Sequence, residues 1–438
     1  MLAPGRYPAE PDHAAAYEMR YGTRDCPIVI QSADGPGKAI LPAIRFSRCH
    51  HLHLLDVNVL ADQPNERHSV LALFHCDYVL VRGVTSVARG PLREMERREN
   101  LKAALCKHLY VEDSEFDGAW DNAIDYVAVH FGHIVRCRVH HALHEVMYVK
   151  GGCAYLLIEG NEVFDGANHG IMAGQSTGFE FLQPPWIHYE AYDIRIVNNF
   201  IHDAGGGLAT AGGYNILMAH NTCYRVGSNR DLVVVGLGDH SITKGREAAC
   251  RPNYLAGGWA DPTGKQMFNI PNKNVFIYNN VFFNPEGYRS KIAHFGISGP
   301  VRAARNSRIP SPARADDNLQ IRGNVIWNGD RDMPTIDPVE KCWHLYSRST
   351  YSQSLLGRHN AINTRRFGLA DPDHGDGQLI AEGGAKFRSC PIPDFTWTDA
   401  PIHPHVPPGQ RSNAVTSDIT GRQRLKGGLP GAWAPPAP

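Results

Sequence analysis

The sequence predicts an all-β solenoid, a chain wound into stacked coils of short strands. Three observations lead there. One short phrase recurs between Asp121 and Val235, as NAIDYVAVH, HEVMYVKGGC, HGIMAGQSTG, GGGLATAGGY and RDLVVVGLG. A second phrase follows most copies, as AYLLIEGNEVFD, DIRIVNNFIHD and NILMAHNTCYR. The pair returns every ~22–24 residues wherever no loop intervenes, and a fixed period in that range marks a repeat architecture. Each apolar run is short, β-branched and bounded by Gly, Asn or Asp, which suits strands and not a helix pair.

Composition narrows the remaining possibilities. A length of 438 residues would ordinarily imply two or three domains, but a solenoid grows by adding coils. Lys plus Arg and Asp plus Glu balance at 44 each, so a basic nucleic-acid surface is not expected. No run of about 18 apolar residues occurs, so no membrane-spanning helix is expected. The opening MLAPGRYPAE lacks the charged and apolar regions of a signal peptide. LAPGRY reads as the end of a strand-turn phrase, which is compatible with a leader removed upstream. A secreted or periplasmic location is the expectation.

Taken in order, CPIVIQSADGPGKAILPAIRF alternates apolar runs with a Gly-Pro-Gly turn and supplies the first coils from Cys26. HHLHLLDVNVLAD, DYVLVRGVTSVARG and KHLYVEDSEFDG each repeat the second phrase. Residues 88–104 form a charged insert, read as a solvated loop. Asn58, Ser114, Cys137, Asn161, Asn199, Asn221, Asn280 and Asn324 occupy one place in the phrase. A column of stacked asparagines satisfying turn backbone is the expected reason, rather than a binding site. Cys49, Cys76, Cys106 and Cys153 form a similar column. No CxxC pair exists, so these read as free, buried thiols filling space and not as a zinc site.

Insertions at 176–192, 237–273 and 285–318 interrupt the coils. Loops of this length in a compact solenoid tend to wall a binding face. The repeat fades after LQIRGNVIWNGD, so residues 1–330 read as the coil and 331–438 as an irregular, proline-rich wrap over the last coil.

VKGGCAYLLIEGNEVFD and NVFIYNNVFFNP resemble the right-handed parallel β-helix proteins, a group that includes pectate lyases, chondroitinase B, alginate lyases and polygalacturonases. The resemblance spans roughly Cys26 to Asp330. It implies the fold and, as a substrate class, an acidic polysaccharide or oligosaccharide lying along one sheet. One fold carries many chemistries, so activity must be argued from residues.

Strand alternation supplies the candidates. With Met147 and Val149 inward, Tyr148 and Lys150 face out. The same count turns Ile124 and Tyr126 in and Asp125 out, Met172 in and Gln175 out, Ala209 in and Thr210 out. Asp121, His144 and His169 fall in one column at the strand entrance, with Asn122 and Glu145 beside them. These parts suit β-elimination of a uronate polymer, which needs a neutralised carboxylate, a base for the C5 proton and a donor for the leaving oxygen. Lys150 or Tyr148 is the expected base and His169 the expected donor, with His144 beside them. Lyases of the resembled group place a Lys on the sheet face as base, and Lys150 matches by its place in VKGG. Their neighbouring Arg is unmatched, because the next coil offers Gln175 and His169. Asp125, Glu145, Asp121 and Asn122 are the candidate ligands of a cation, Ca²⁺, that would meet the substrate carboxylate. Gln175, Thr210, Trp186, His188, Tyr189, Arg246, Arg251 and Arg289 are the candidate substrate contacts; for Trp186, His188 and Tyr189, simple packing over the sheet is the alternative. A polysaccharide lyase is the leading reading. A glycoside hydrolase using Asp125 with Asp121 or Glu145, and a non-catalytic carbohydrate-binding β-helix, stay open.

Overall fold

The chain folds as a right-handed parallel β-helix in which every long-range pairing of the coil body is parallel. The structure is a computed structural model and describes residues 1–8, 15–61, 69–88, 99–260, 269–288, 290–291, 293–329, 351–381, 386–397 and 412–434. Each coil contributes a strand to three faces in turn. The first face holds Ile44–Ser47, Leu71–Phe74, Leu101–Ala104, Ile124–Val127, Met147–Lys150, Val233–Gly236 and Phe295–Ile297. The second runs from Ile28–Gln31 through His130–Val135, Cys153–Glu159 and Ala191–Val197 to Gln320–Arg322. The third includes Glu115–Ala119, Arg138–Ala142, Thr222–Tyr224, Val281–Asn284 and Val325–Asn328. Glu162–Gly174 and Phe200–Ala211 bend without a break from the third face into the first.

Alternation decides what is inside. Ile124, Tyr126, Met147, Val149, Ile171 and Leu208 all belong to the one continuous core, packed coil on coil. Stacked strands lie about 4.8 Å apart, so like side chains meet in columns. The asparagine column is real from Asn161 onward. Its amides link Asn161 to Asn199, Asn199 to Asn221, Asn221 to Asn280 and Asn280 to Asn324, each at 2.9 Å. Asn324 continues to Asn360 at 2.8 Å, a rung the sequence reading missed. Asn58 does not belong: it pairs with Thr85, which pairs with Glu115, one place beyond Ser114. Val57 stands in the column instead, and Asn58 binds the Gly37 carbonyl from its strand. The cysteines of the other column are free and buried.

Coiling also extends further than the repeat suggested. Gly5–Arg6 and Ala15–Glu18 already pair with later coils, and Ala361–Ile362 adds a rung after Val325–Asn328. Within the charged insert, residues 89–98 lie outside the described residues, but Leu101–Ala104 is a strand of the first face. The C-terminal wrap runs back along the side of the coil: Phe395 packs on Phe276, Arg424 binds Asn198 and Trp433 meets Phe200.

The chain after the first-face strands, at 175–190, 237–272 and 298–318, leaves from the same corner each time, before the next second-face strand. The third insertion, expected at 285–318, is divided by the first-face strand Phe295–Ile297, so its first part leaves from a different corner, between the third face and the first. The first two insertions join each other, since Ser176–Gly178 pairs with Asp239–Ser241. Phe179, Leu182, Ile187, Cys250 and Ala260 give them a small core of their own.

Candidate functional site

The site begins with one rank of the first face. Lys102, Asp125, Tyr148, Met172, Ala209 and Val234 are successive partners in register. Asp125 and Tyr148 face outward as the alternation predicts. Met172 and Ala209 do too, against expectation, and form an apolar patch with Tyr148, Ala211 and Val234 outside the main core. Thr210 partners Ala173 and faces inward, fully buried. The cause is the coil spacing: Met147 pairs with Ile171, 24 residues on, so Ile171 takes the inward place and Met172 the outward one, and Ala209, the partner of Met172, follows it out. Thr210 is therefore removed from the exposed surface.

Lys102 was missed because the charged insert disguised its strand. Its ammonium contacts the Asp125 carboxylate and lies 2.9 Å from Glu99. Burial opposes the charge of both Lys102 and Asp125. The mutual attraction wins: the Lys102 pKa rises, while Lys150 and Lys102 draw the Asp125 carboxyl below its usual range. Lys150 is half-buried, with its ammonium 4.0 Å from the Tyr148 ring centroid. It forms no ion pair among the described residues. The Tyr148 hydroxyl donates to Gln175 Oε1 at 2.5 Å. Burial, reinforced by the carboxylates of Glu145, Glu190 and Asp125, pushes the Tyr148 pKa far up.

At the strand entrance the acids and histidines pair off. His169 faces Glu145 across 3.7 Å, both buried, while half-exposed His144 lies 3.9 Å from Asp121. Asp121 and His144 thus form a pair apart from His169, rather than one column of three. Burial outweighs the charge of His144 at Asp121 and raises its pKa. At Glu145 burial is overcome by His169, and the pKa falls. Both ring nitrogens of His169 are buried without a hydrogen-bond partner.

The turn after Lys150 is fixed from below. Gly151 and Gly152 both take positive φ, and a Cβ at Gly152 would lie 2.3 Å from the Trp186 carbonyl. Only glycine fits there. Buried Glu190 accepts from the Gly151 amide at 2.9 Å and from Thr177 Oγ1 at 2.7 Å, and it faces His240 at 3.2 Å. Both insertions therefore brace the strand end that carries Lys150.

The remaining loop candidates are arranged differently. Trp186 packs on Tyr155 and Tyr192, His188 and Tyr189 pack on Trp259, and all three are buried. They form the interior of the wall and not its surface, the packing alternative for these residues. Arg246 lies over the Phe181 ring at 5.4 Å and Arg251 is exposed on the helix Glu247–Leu255. Arg289 lies outside the described residues.

The donor set Asp121, Asn122, Asp125 and Glu145 does not fit a cation. Lys102 already occupies Asp125, His169 faces Glu145, and among the described residues the carboxylates of Asp121, Asp125 and Glu145 do not converge to ligand spacing. An ammonium at that carboxylate would repel a metal ion.

No family model matches the sequence, and no curated protein matches it. Among solved structures the chain is similar to the A-module of mannuronan C-5 epimerase AlgE6 from Azotobacter vinelandii. The identity is 12%, over 80% of this chain and 87% of that one, at a TM-score of 0.46. It is also similar to the PL6 family polysaccharide lyase Pedsa3628 from Pseudopedobacter saltans, at 14% identity, 88% and 91% coverage and a TM-score of 0.43. A third is the endo-xylogalacturonan hydrolase from Aspergillus tubingensis, at 10% identity, 76% and 90% coverage and a TM-score of 0.31. The fold assignment rests on the strand register of this chain.

Proposed function

We propose that this chain is a carbohydrate-active enzyme that cleaves a uronate-containing polysaccharide by β-elimination. The observation that supports it is Lys150, a half-buried ammonium on the Tyr148 ring with no ion-pair partner among the described residues, on a sheet whose strand entrance holds His169, an imidazole with no hydrogen bond at either nitrogen. An unpaired cation suits a substrate carboxylate, and a sugar ring suits an aromatic neighbour.

Roles follow from the electrostatics. Lys150 enters as the cation, since its charge helps draw down the Asp125 carboxyl. Tyr148 stays protonated, because its pKa is pushed up, and so serves as donor and not as resting base. His169, oriented by Glu145, is the base: it takes the C5 proton, the bond from C4 to the glycosidic oxygen breaks, and Tyr148 protonates that oxygen. This exchanges the roles that the sequence alone suggested for these residues. Lys102, Asp125 and Glu99 form an ion-paired cluster on the same sheet face, and the Asp125 carboxylate attracts the Lys150 ammonium without pairing with it.

A glycoside hydrolase is the second reading, favoured by one observation. Asp121 has a raised pKa and Asp125 a lowered one, the division of labour that an acid and a base require. One assay separates the two. On a panel of acidic glycans, a lyase yields an unsaturated uronate that absorbs in the near ultraviolet, and a hydrolase yields reducing ends without that absorbance. Neither signal on any uronate polymer would refute catalysis and leave a carbohydrate-binding protein.

A further inference from the structure

We infer that Asp117, His140 and His141, on the outer surface of the third face, form a binding site for a borderline divalent metal ion such as Zn²⁺. The site lies on a different sheet from Lys150 and does not depend on the proposed reaction. Neighbouring strand residues normally point to opposite sides. His140 and His141 share a side because His141 takes φ of +57°, in the left-handed region. Asp117 is the register partner of His140 on the preceding coil. Three atoms converge as a result. His140 Nδ1 and His141 Nδ1 are 2.7 Å apart, and Asp117 Oδ1 lies 3.2 Å from the first and 2.7 Å from the second.

The far nitrogens explain what those three atoms are. His140 Nε2 lies 3.1 Å from Glu115 Oε1, and His141 Nε2 lies 3.2 Å from Asp165 Oδ2. An ionised carboxylate only accepts, so a proton on each Nε2 satisfies these two contacts, and it is the tautomer that a metal ion at the Nδ1 side would select. Both Nδ1 atoms then present lone pairs, to each other and to a carboxylate oxygen. Three lone pairs at these separations repel. A single added proton on His141 Nδ1 would have to be split between His140 and Asp117. A metal ion at the shared point satisfies all three. A histidine ligand that donates its other nitrogen to a carboxylate is the outer arrangement that metal sites use to fix tautomer and ring orientation. Here both histidines have it. Two imidazoles and one carboxylate select Zn²⁺ or a similar ion over Ca²⁺, which prefers oxygen. His141 is half-exposed, so the ion would keep an open position towards solvent. The ligands come from two coils, so the ion would also clamp one coil to the next.

The test uses the full chain, stripped of metal by chelation and dialysis, titrated with Zn²⁺ and separately with Co²⁺. One equivalent of Zn²⁺ should bind and raise the melting temperature, and Co²⁺ should give the visible d–d bands of a low-coordinate site. His141→Ala should weaken Zn²⁺ binding by at least about tenfold and abolish the Co²⁺ bands. His141 is half-exposed, so that variant keeps the fold, which circular dichroism verifies. Asp165→Asn provides a second variant with a smaller loss in the same direction. Failure of the native chain to bind Zn²⁺ stoichiometrically overturns the proposal. So does Zn²⁺ binding that is unchanged in both variants, because it places the ion elsewhere.

Discussion

The ammonium of Lys150 lies 4.0 Å from the centroid of the Tyr148 ring, and the two residues sit two positions apart on one strand. Their partnership couples the cation to the aromatic surface and to the only hydroxyl in the rank Lys102, Asp125, Tyr148, Met172. Lys150→Met should therefore lose turnover on a uronate polymer by roughly 10²–10³-fold, the scale for removing one electrostatic stabiliser, while the fold survives. Tyr148→Phe should lose a comparable factor if the hydroxyl protonates the leaving oxygen. Initial rates from product absorbance measure both. Full activity in both variants would end this placement of the site.

Lys102 and Asp125 give a stability prediction. Both are mostly buried, and removing one partner leaves the other charge stranded. Lys102→Met should cost on the order of 3 kcal/mol, the scale for breaking a buried pair. Lys102→Met with Asp125→Leu should recover most of it, since the stranded charge is gone. Denaturant unfolding of the two singles and the double measures the coupling. An additive double variant would show that the pair does not interact.

The coil was legible because its period is a packing requirement written in every copy. Ile124, Met147 and Ile171 meet in the core since each must be apolar at the same place. The asparagine column was legible for the same reason, as each amide satisfies the next turn. Lys150 and Tyr148 were found on one face because VMYVKGG contains no irregularity. The site was misread where the period breaks. Ile171 and not Met172 is the partner of Met147, so a count 25 residues long in place of 24 put Met172 and Ala209 inside and Thr210 outside, one place away from where they lie. Lys102 was hidden because its strand, LKAA, has too little apolar character to be told from the charged residues before it. Glu190 and His240 come from insertions without a repeat to align them, so only the folded chain brings them beneath the turn after Lys150.

Acid should destabilise the protein through buried neutral histidines. Burial, the largest cause in each case, lowers His130 to about 3, His188 to about 4 and His294 to about 4 from an ordinary 6.5. A depressed folded pKa gives stability that is complete above the unfolded value and lost as pH falls through the folded one. The loss should therefore develop from pH 6.5 down towards 4 and 3. His202 has the opposite sign: burial lowers it, but Asp203 and Glu162 raise it further, so its contribution is present below 6.5 and fades as pH rises. Melting temperatures from pH 4 to 8 test this, with His294→Leu as the discriminating variant. That variant should flatten the acid limb, because both His294 nitrogens are buried without a partner. An acid limb as steep as that of the native chain would show that His294 is not one of the responsible groups.

The asparagine column makes the strongest prediction about the coil itself. Asn199 Oδ1 accepts from the Asn161 backbone amide at 3.0 Å and from its side-chain Nδ2 at 2.9 Å. Its own Nδ2 donates to the Ile158 carbonyl at 3.0 Å and to Asn221 Oδ1 at 2.9 Å. All of this is buried, so Asn199→Ala leaves donors and acceptors on two neighbouring coils without partners. Each such group costs about 1–3 kcal/mol, which places the total loss above that of a surface substitution by several kcal/mol. Asn199→Asp keeps the acceptor but removes the donor and buries a charge, so it should be no milder than Ala. Asn58→Ala is the control, because Asn58 stands outside the column and makes one bond, to Gly37. It should cost about 1 kcal/mol or less. Chemical unfolding midpoints of the three variants rank them. Equal losses in Asn199→Ala and Asn58→Ala would show that the column holds nothing together.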